Sequence, residues 1–362
     1  MSDWPDRHLL DLFGIRHPLL QAPMAGASGV ALAVAVSRAG GLGALPCALL
    51  SPEQAGAQVE AFRRDASGPL NLNFFCHTPP EPDAQAEAAW MAALSPYYAA
   101  LGLDPTAPRP MAARTPFDDA FCALVEAVKP DVVSFHFGLP AADLVARVRA
   151  SGARIISSAT TVEEAVWLAE RGCDAVIAMG FEAGGHRASF LTEDMRAQPG
   201  TFALVPQIVD AVDVPVIAAG GVADGRGMAA ALALGAAGVQ VGTAYLRSPE
   251  SLIPDFHRQA LAAARDDGTA VTNLFTGRPA RGIYNRLMTE LGPMSAAAAP
   301  FPTAAGALAP LRTARPGPDF SNLWAGQAAP LAKALGAEEL TRNLARDGLD
   351  QLARLSGMPR PA

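Results

Sequence analysis

Much that would place this chain quickly is missing from it. Its four cysteines, Cys47, Cys76, Cys122 and Cys173, form no CxxC or other metal-ligand spacing. They read as reduced, mostly buried thiols, which fits a cytoplasmic protein. Basic side chains are outnumbered 28 to 35, a net charge of −7 that argues against the basic face of a nucleic-acid binder. No basic stretch runs into an apolar one at the N-terminus, so no signal peptide is expected. No uncharged apolar run reaches the roughly 18 residues of a membrane span, so no membrane partner is expected either. A GxGxxG after the first strand is absent, which disfavours a Rossmann dinucleotide site. No strand ends in a lysine suited to a Schiff base, and no carboxylate–histidine cluster reads as a metal site, so no metal is assigned.

What remains is a chain that is half hydrophobic, with a mean hydropathy of +0.19, long enough for a large core. Short apolar runs alternate with helical stretches. Strands are expected at 18–22, 42–45, 70–75, 132–137, 154–158, 175–179, 214–219 and 238–242. The runs are mostly continuous rather than alternating, as in strands covered on both faces of a parallel sheet. Strand–helix alternation with eight strands favours a TIM (β/α)8 barrel, within the α/β class, over an open doubly wound sheet. Ser51 and Thr161 stand where helix N-caps belong, and Pro52 at a first helical position. The expected organisation is a barrel over 1–248 with an inserted segment at 78–116. A second, mostly helical substrate or cap domain follows over 249–328, and C-terminal helices over 329–362 return to the barrel.

The chain's chemistry centres on 179–187, Met-Gly-Phe-Glu-Ala-Gly-Gly-His-Arg, directly after the sixth strand. Glycines bring the backbone close to a ligand, and His186 then stands at the barrel's C-terminal face with an ordinary pKa suited to taking a proton. Two strand–glycine turns, Gly220-Gly221 and Gly242-Thr243, follow the seventh and eighth strands, where barrels bind phosphate through backbone N–H groups and a helix N-terminus. The first strand ends in Gln21-Ala22-Pro23-Met24-Ala25-Gly26, small residues against which a flat ring can lie. Asn73 is a polar group in an apolar strand and needs a partner, a ring atom or a neighbouring backbone group. His136, within the fourth strand, reads either as a core histidine or as a substrate-facing group. Arg187 reads as an attractor of an anionic substrate or as a partner of Glu182. His8, His17, His77 and His257 read as structural or surface residues.

Taken together, Gln21–Met24, Asn73 in Leu-Asn-Phe-Phe, Ser134-Phe-His-Phe-Gly138, Gly180-Phe-Glu-Ala-Gly-Gly-His-Arg187, Ala219-Gly-Gly-Val222 and Gln240-Val-Gly-Thr243 resemble the nitronate monooxygenases. The segment Asn273–Gly282, which contains a Thr-Gly-Arg-Pro turn, fits that family's second domain. The resemblance covers about residues 9–350. It implies a non-covalently bound FMN and oxidation of alkyl nitronates by O2 to a carbonyl compound and nitrite. Carried over by position, Ala22, Pro23 and Met24 line the isoalloxazine, Asn73 bonds the flavin, and Gly184 and Gly185 approach it. Gly220, Gly221, Gln240, Gly242 and Thr243 hold the ribityl phosphate. His186 is the base when a neutral nitroalkane is the substrate. The chain departs at Met179, a cofactor-site position where glutamine is expected and a thioether cannot donate the same hydrogen bond, and at Phe181, which makes the loop more apolar.

The resemblance thus implies a small-molecule nitronate and O2 as partners. A homodimer is compatible with it. An NAD(P)H-using flavin reductase, acting on enoyl-acyl-carrier protein or a quinone, shares the barrel and the Gly-Gly-His stretch and stays open. So does a flavin protein without turnover.

Overall fold

The computed structural model describes residues 4–108, 114–192 and 194–357. Eleven strands occur in chain order: β1 Leu19–Gln21, β2 Gly43–Pro46, β3 Leu70–Phe75, β4 Val132–His136, β5 Arg154–Ala159, β6 Ala175–Met179, β7 Gly185–His186, β8 Val216–Ala219, β9 Gly238–Val241, β10 Thr269–Thr272 and β11 Ala280–Ile283. Eight of them form one parallel sheet in the order β1-β9-β8-β6-β5-β4-β3-β2. A parallel bridge from Leu20 to Leu42 closes it. Gln21, fully buried, reinforces that seam: its amide donates to Ala44 O and accepts from Ala44 N, both at 3.1 Å. The result is a TIM barrel whose strands lie within two residues of the expected runs, because continuous Val/Ile/Leu/Ala segments between Gly and Pro breaks have no solvent face to show.

Local signals start several helices. Ser51 caps Pro52–Asp65 through a capping box with Gln54, and the Thr161 hydroxyl accepts from Glu164 N at 3.2 Å. Elsewhere a distant group decides. The helix Thr201–Val209 begins where the Glu182 carboxylate accepts the Thr201 N–H at 2.8 Å. The helix Asp255–Ala262 starts directly behind Pro254.

Beyond the barrel, β10 pairs antiparallel with β11, and β11 pairs antiparallel with β7. A sheet therefore stands in a region expected to be mostly helical, and the barrel's own chain lends it a strand: Ala280 faces His186 and Arg281 faces Gly185. Helix Ala84–Ala100, in the inserted segment expected at 78–116, packs on helix Ala304–Ala314. Trp90 Nε1 donates to Ala304 O at 3.1 Å and the Tyr98 hydroxyl to Ala307 O at 2.6 Å. With Leu274, Phe275, Leu287 and Phe320 these rings make a second apolar core. Pro110 of the same segment lies outside the described residues. Of the C-terminal helices expected over 329–362, one α-helix, Ala337–Ser356, stands among the described residues, and it packs on the barrel helices Val30–Ala39 and Gly225–Ala233. No helix among the described residues is long and apolar enough to cross a membrane.

Candidate active site

At the C-terminal ends of the barrel strands lies a cavity of about 530 Å³, bounded by the second region. All the site positions expected from the sequence line it: Ala22, Pro23 and Met24 after β1, Asn73 on β3, His136 on β4, Met179 on β6, Gly184, Gly185 and His186 along the edge strand, Gly220 and Gly221 after β8, and Gln240, Gly242 and Thr243 around the end of β9.

The barrel side of this cavity is built from backbone and satisfied amides. Gly220 and Gly221 take φ of +103° and +74°, a left-handed path closed to most side chains. A Cβ on Gly220 would stand 2.9 Å from Ala183 N. The Thr201 hydroxyl sits against this turn, 3.0 Å from Gly220 O and 2.9 Å from Glu182 Oε2, so Glu182 ties the glycine turn to the loop after β6. The Asn73 amide nitrogen donates to Ser134 O and Oγ at 3.2 and 2.9 Å. Its partner is thus the next strand, the second of the two expected possibilities. Gln240 differs: its Oε1 is buried and accepts no hydrogen bond from the protein. A buried acceptor in that state calls for an N–H or O–H donor from something bound. After β8 the Asp224 side chain accepts from Arg226 N and Gly227 N, so these two N–H groups of the following helix already have a partner.

The side around His186 carries rings and charge. His186 is buried, with Phe301, Trp324, Phe137 and Phe75 between 5.4 and 6.1 Å from its ring centroid. Its Nε2 lies 3.0 Å from Thr276 Oγ1. Burial holds its pKa well below the ordinary value, and Arg114, His136, Arg278 and His77 push the same way. His136 is lowered to about 3, mainly by burial, and hydrogen-bonds the backbone of His186. Arg114 and Arg312 line the cavity, each lowered to about 10 by burial. Among the described residues neither forms an ion pair, and the Arg312 Nε–H donates to Phe320 O at 2.9 Å. Arg114 also lies over the Phe301 ring at 5.4 Å. Such a wall favours an anion, because two desolvated guanidinium groups gain most from a negative charge brought between them.

One expectation is corrected, and one departure from the family pattern is placed. Arg187 does not line the cavity, and among the described residues it forms no ion pair with Glu182. Fully buried, it donates to Gly180 O at 2.5 Å, Met179 O at 2.7 Å and Gln198 Oε1 at 3.0 Å. It pins the loop that carries His186, and carbonyls rather than a carboxylate satisfy it. Phe181 does not line the cavity; its ring lies under Arg187 and Arg281 at 5.6 and 4.8 Å. The sequence reading missed Arg114, Arg312, Thr276, Phe301 and Trp324. Of these only Thr276 carried a signal, its place in the Thr-Gly-Arg-Pro turn.

A family model described as nitronate monooxygenase matches residues 6–347. A nitronate monooxygenase of Paraburkholderia phytofirmans is 41% identical over 348 residues, covering 94% of each chain. Among solved structures, the nitroalkane oxidase of Streptomyces ansochromogenes superposes with a TM-score of 0.86 at 36% identity, over 96% of this chain and 99% of that one. FabK of Thermotoga maritima gives 0.75 at 27% identity, over 98% and 99%.

Proposed function

The chain belongs to the nitronate monooxygenase family, and we propose that it is an FMN-dependent oxidoreductase that oxidises alkyl nitronates with O2 to a carbonyl compound and nitrite. One observation carries this reading: a single cavity joins a glycine-turned barrel wall with an unsatisfied acceptor, Gln240 Oε1, to a wall bearing His186 and two half-buried guanidinium groups.

The residues present fit the cofactor. Backbone at Gly220, Gly221, Gly242 and Thr243 would hold the phosphate, at the strand ends where barrels bind one. Gln240 Oε1 would accept from a ribityl hydroxyl or the ring imide. Ala22, Pro23 and Met24 offer a flat, mostly apolar wall to the ring. FMN, when bound, accepts electrons from the substrate and passes them to O2.

The chain's own groups bind and orient the substrate. Arg114 and Arg312 attract a nitronate, which is an anion. The rings of Phe75, Phe137, Phe301 and Trp324 keep water from it, which strengthens that attraction. A nitronate is a carbanion equivalent and needs no proton removed. A neutral nitroalkane does, and His186, held neutral by burial and by its cationic neighbours, is in the form that accepts one. The same surroundings disfavour the imidazolium that results, so the site suits a substrate that arrives as the anion. Proton abstraction is the slower, secondary route.

A visible absorption spectrum of the purified protein, followed anaerobically by the nitronate of nitroethane and separately by NADH, tests the reading. Flavin peaks bleached by the nitronate and not by NADH, with nitrite formed on readmitting air, are expected. Bleaching by NADH alone would move the assignment to a reductase, and no flavin after FMN is supplied would sink both.

A further inference from the structure

His186 and Thr276 meet across 90 residues of chain, and the contact is held on both sides. The His186 backbone is paired with Ala280 in β7–β11. Next to it, Arg187 N donates to Pro279 O at 2.8 Å. Thr276 is 2% exposed, and the turn that carries it is fixed by Gly277 N donating to Asn273 O at 2.8 Å. The Thr276 hydroxyl has one proton. Arg278 O, 3.4 Å away, can only accept; when that proton points to it, Oγ1 accepts from His186 Nε2–H at 3.0 Å. With Nε2 protonated, Nδ1 carries the free lone pair.

We infer that Thr276 is a positioning residue that selects the His186 tautomer and leaves Nδ1 as the nitrogen that takes the substrate proton. The inference rests on the base role proposed above. In that step the nitroalkane Cα–H bond breaks, its electron pair becomes the C=N bond of the nitronate, and the proton goes to Nδ1. The imidazolium keeps Nε2–H on Thr276, where the hydrogen bond becomes charge-assisted and stronger. The groups facing this ring from its other neighbours, Arg114, Arg278, His77 and His136, all oppose its positive charge. Thr276 Oγ1 is the neutral acceptor among them.

Thr276→Val keeps the shape and removes the acceptor, and Thr276→Ser keeps the acceptor. A hydrogen bond to a charged group is worth roughly a tenfold to hundredfold change. Expected for Thr276→Val is a loss of that size in kcat/KM for a neutral nitroalkane, with the acidic limb of its pH profile moved to lower pH, since the cation has lost a stabilising contact. The preformed nitronate should lose less than about threefold, and Thr276→Ser should restore the nitroalkane. Unchanged nitroalkane turnover, or equal loss on both substrates without rescue by serine, overturns the inference. Nitrogen-15 NMR of the histidine rings reads the tautomer directly, with the His186 signal assigned by its disappearance in His186→Asn. Nε2–H is expected in the parent protein and a shift towards Nδ1–H in Thr276→Val. An Nδ1–H parent overturns the inference even if the protein oxidises nitronates, and an Nε2–H parent supports it even if it does not.

Discussion

The two walls of the cavity are made of different material. The barrel wall is backbone turned by glycine, one amide satisfied by its neighbouring strand, and one amide left with a buried acceptor. The opposite wall is histidine, arginine and aromatic rings, drawn from the second sheet and its helices and from the barrel-strand ends at Phe75 and Phe137. A wall shaped by backbone suits a large planar cofactor with a single anionic end. A cationic wall in low dielectric suits a small anion. The division suggests that cofactor affinity and substrate charge can be altered independently, and that is where the comparison can be broken.

The largest effect is expected on the charged wall. His186→Asn should retain FMN and lose about 10²- to 10⁴-fold in nitroalkane turnover, the usual range for a general base, while much of the nitronate turnover survives. Steady-state assays on both forms of one substrate decide it, and equal losses would mean that His186 is not principally a base. On the other wall, Gly220→Ala forces a side chain into a +103° φ with Ala183 N 2.9 Å away. Strain of about 1–3 kcal/mol predicts FMN binding weakened roughly tenfold to a hundredfold, with substrate KM at saturating FMN little changed. A fluorescence titration reads the first and assays with added FMN the second. If KM moves as much as flavin affinity, the walls are not independent.

The barrel wall was legible because each of its parts is local. The strands are runs of five or so apolar residues, and the glycine turns follow them within one or two positions. Asn73 announced itself as the wrong polarity for its strand. The opposite wall was not legible. Whether His186 belonged to the barrel or to another sheet depended on Ala280, and nothing near residue 186 shows that pairing. Arg187, next in sequence to His186, read as a substrate or carboxylate partner because a sequence shows side chains and not the carbonyls of Met179 and Gly180, which turn out to hold it. Arg114 and Arg312 look like any surface arginine until the chain around them is buried.

A smaller, signed effect tests the electrostatics of the charged wall. Arg114 helps hold the His186 pKa down, so Arg114→Gln removes a repulsion and the pKa should rise towards the ordinary value. In the pH profile of kcat/KM for a nitroalkane, activity should then begin to fall at a higher pH on acidification than in the parent. Nitronate KM should rise by about tenfold, the scale of one buried ionic contact, with kcat less affected. A limb that stays put or moves down would show that Arg114 does not act on His186 through charge.

The smallest effect is expected where the resemblance alone would place a large one. Phe181 stands in the loop after β6, two positions past Met179, and on sequence it is a natural determinant of substrate preference. In the fold its ring supports Arg187 and Arg281 from outside the cavity. Replacing it with leucine removes two cation–π contacts, worth about 0.5–2 kcal/mol each by their burial, and keeps most of the apolar volume. Phe181→Leu should therefore lower Tm by a few degrees, seen by differential scanning fluorimetry. The ratio of kcat/KM between a short and a long alkyl nitronate should change by less than about twofold, because no lining contact is lost. A larger change in that ratio at unchanged Tm would mean that the loop moves in the working enzyme and that Phe181 reaches the substrate after all. The division into two walls would then need a third part.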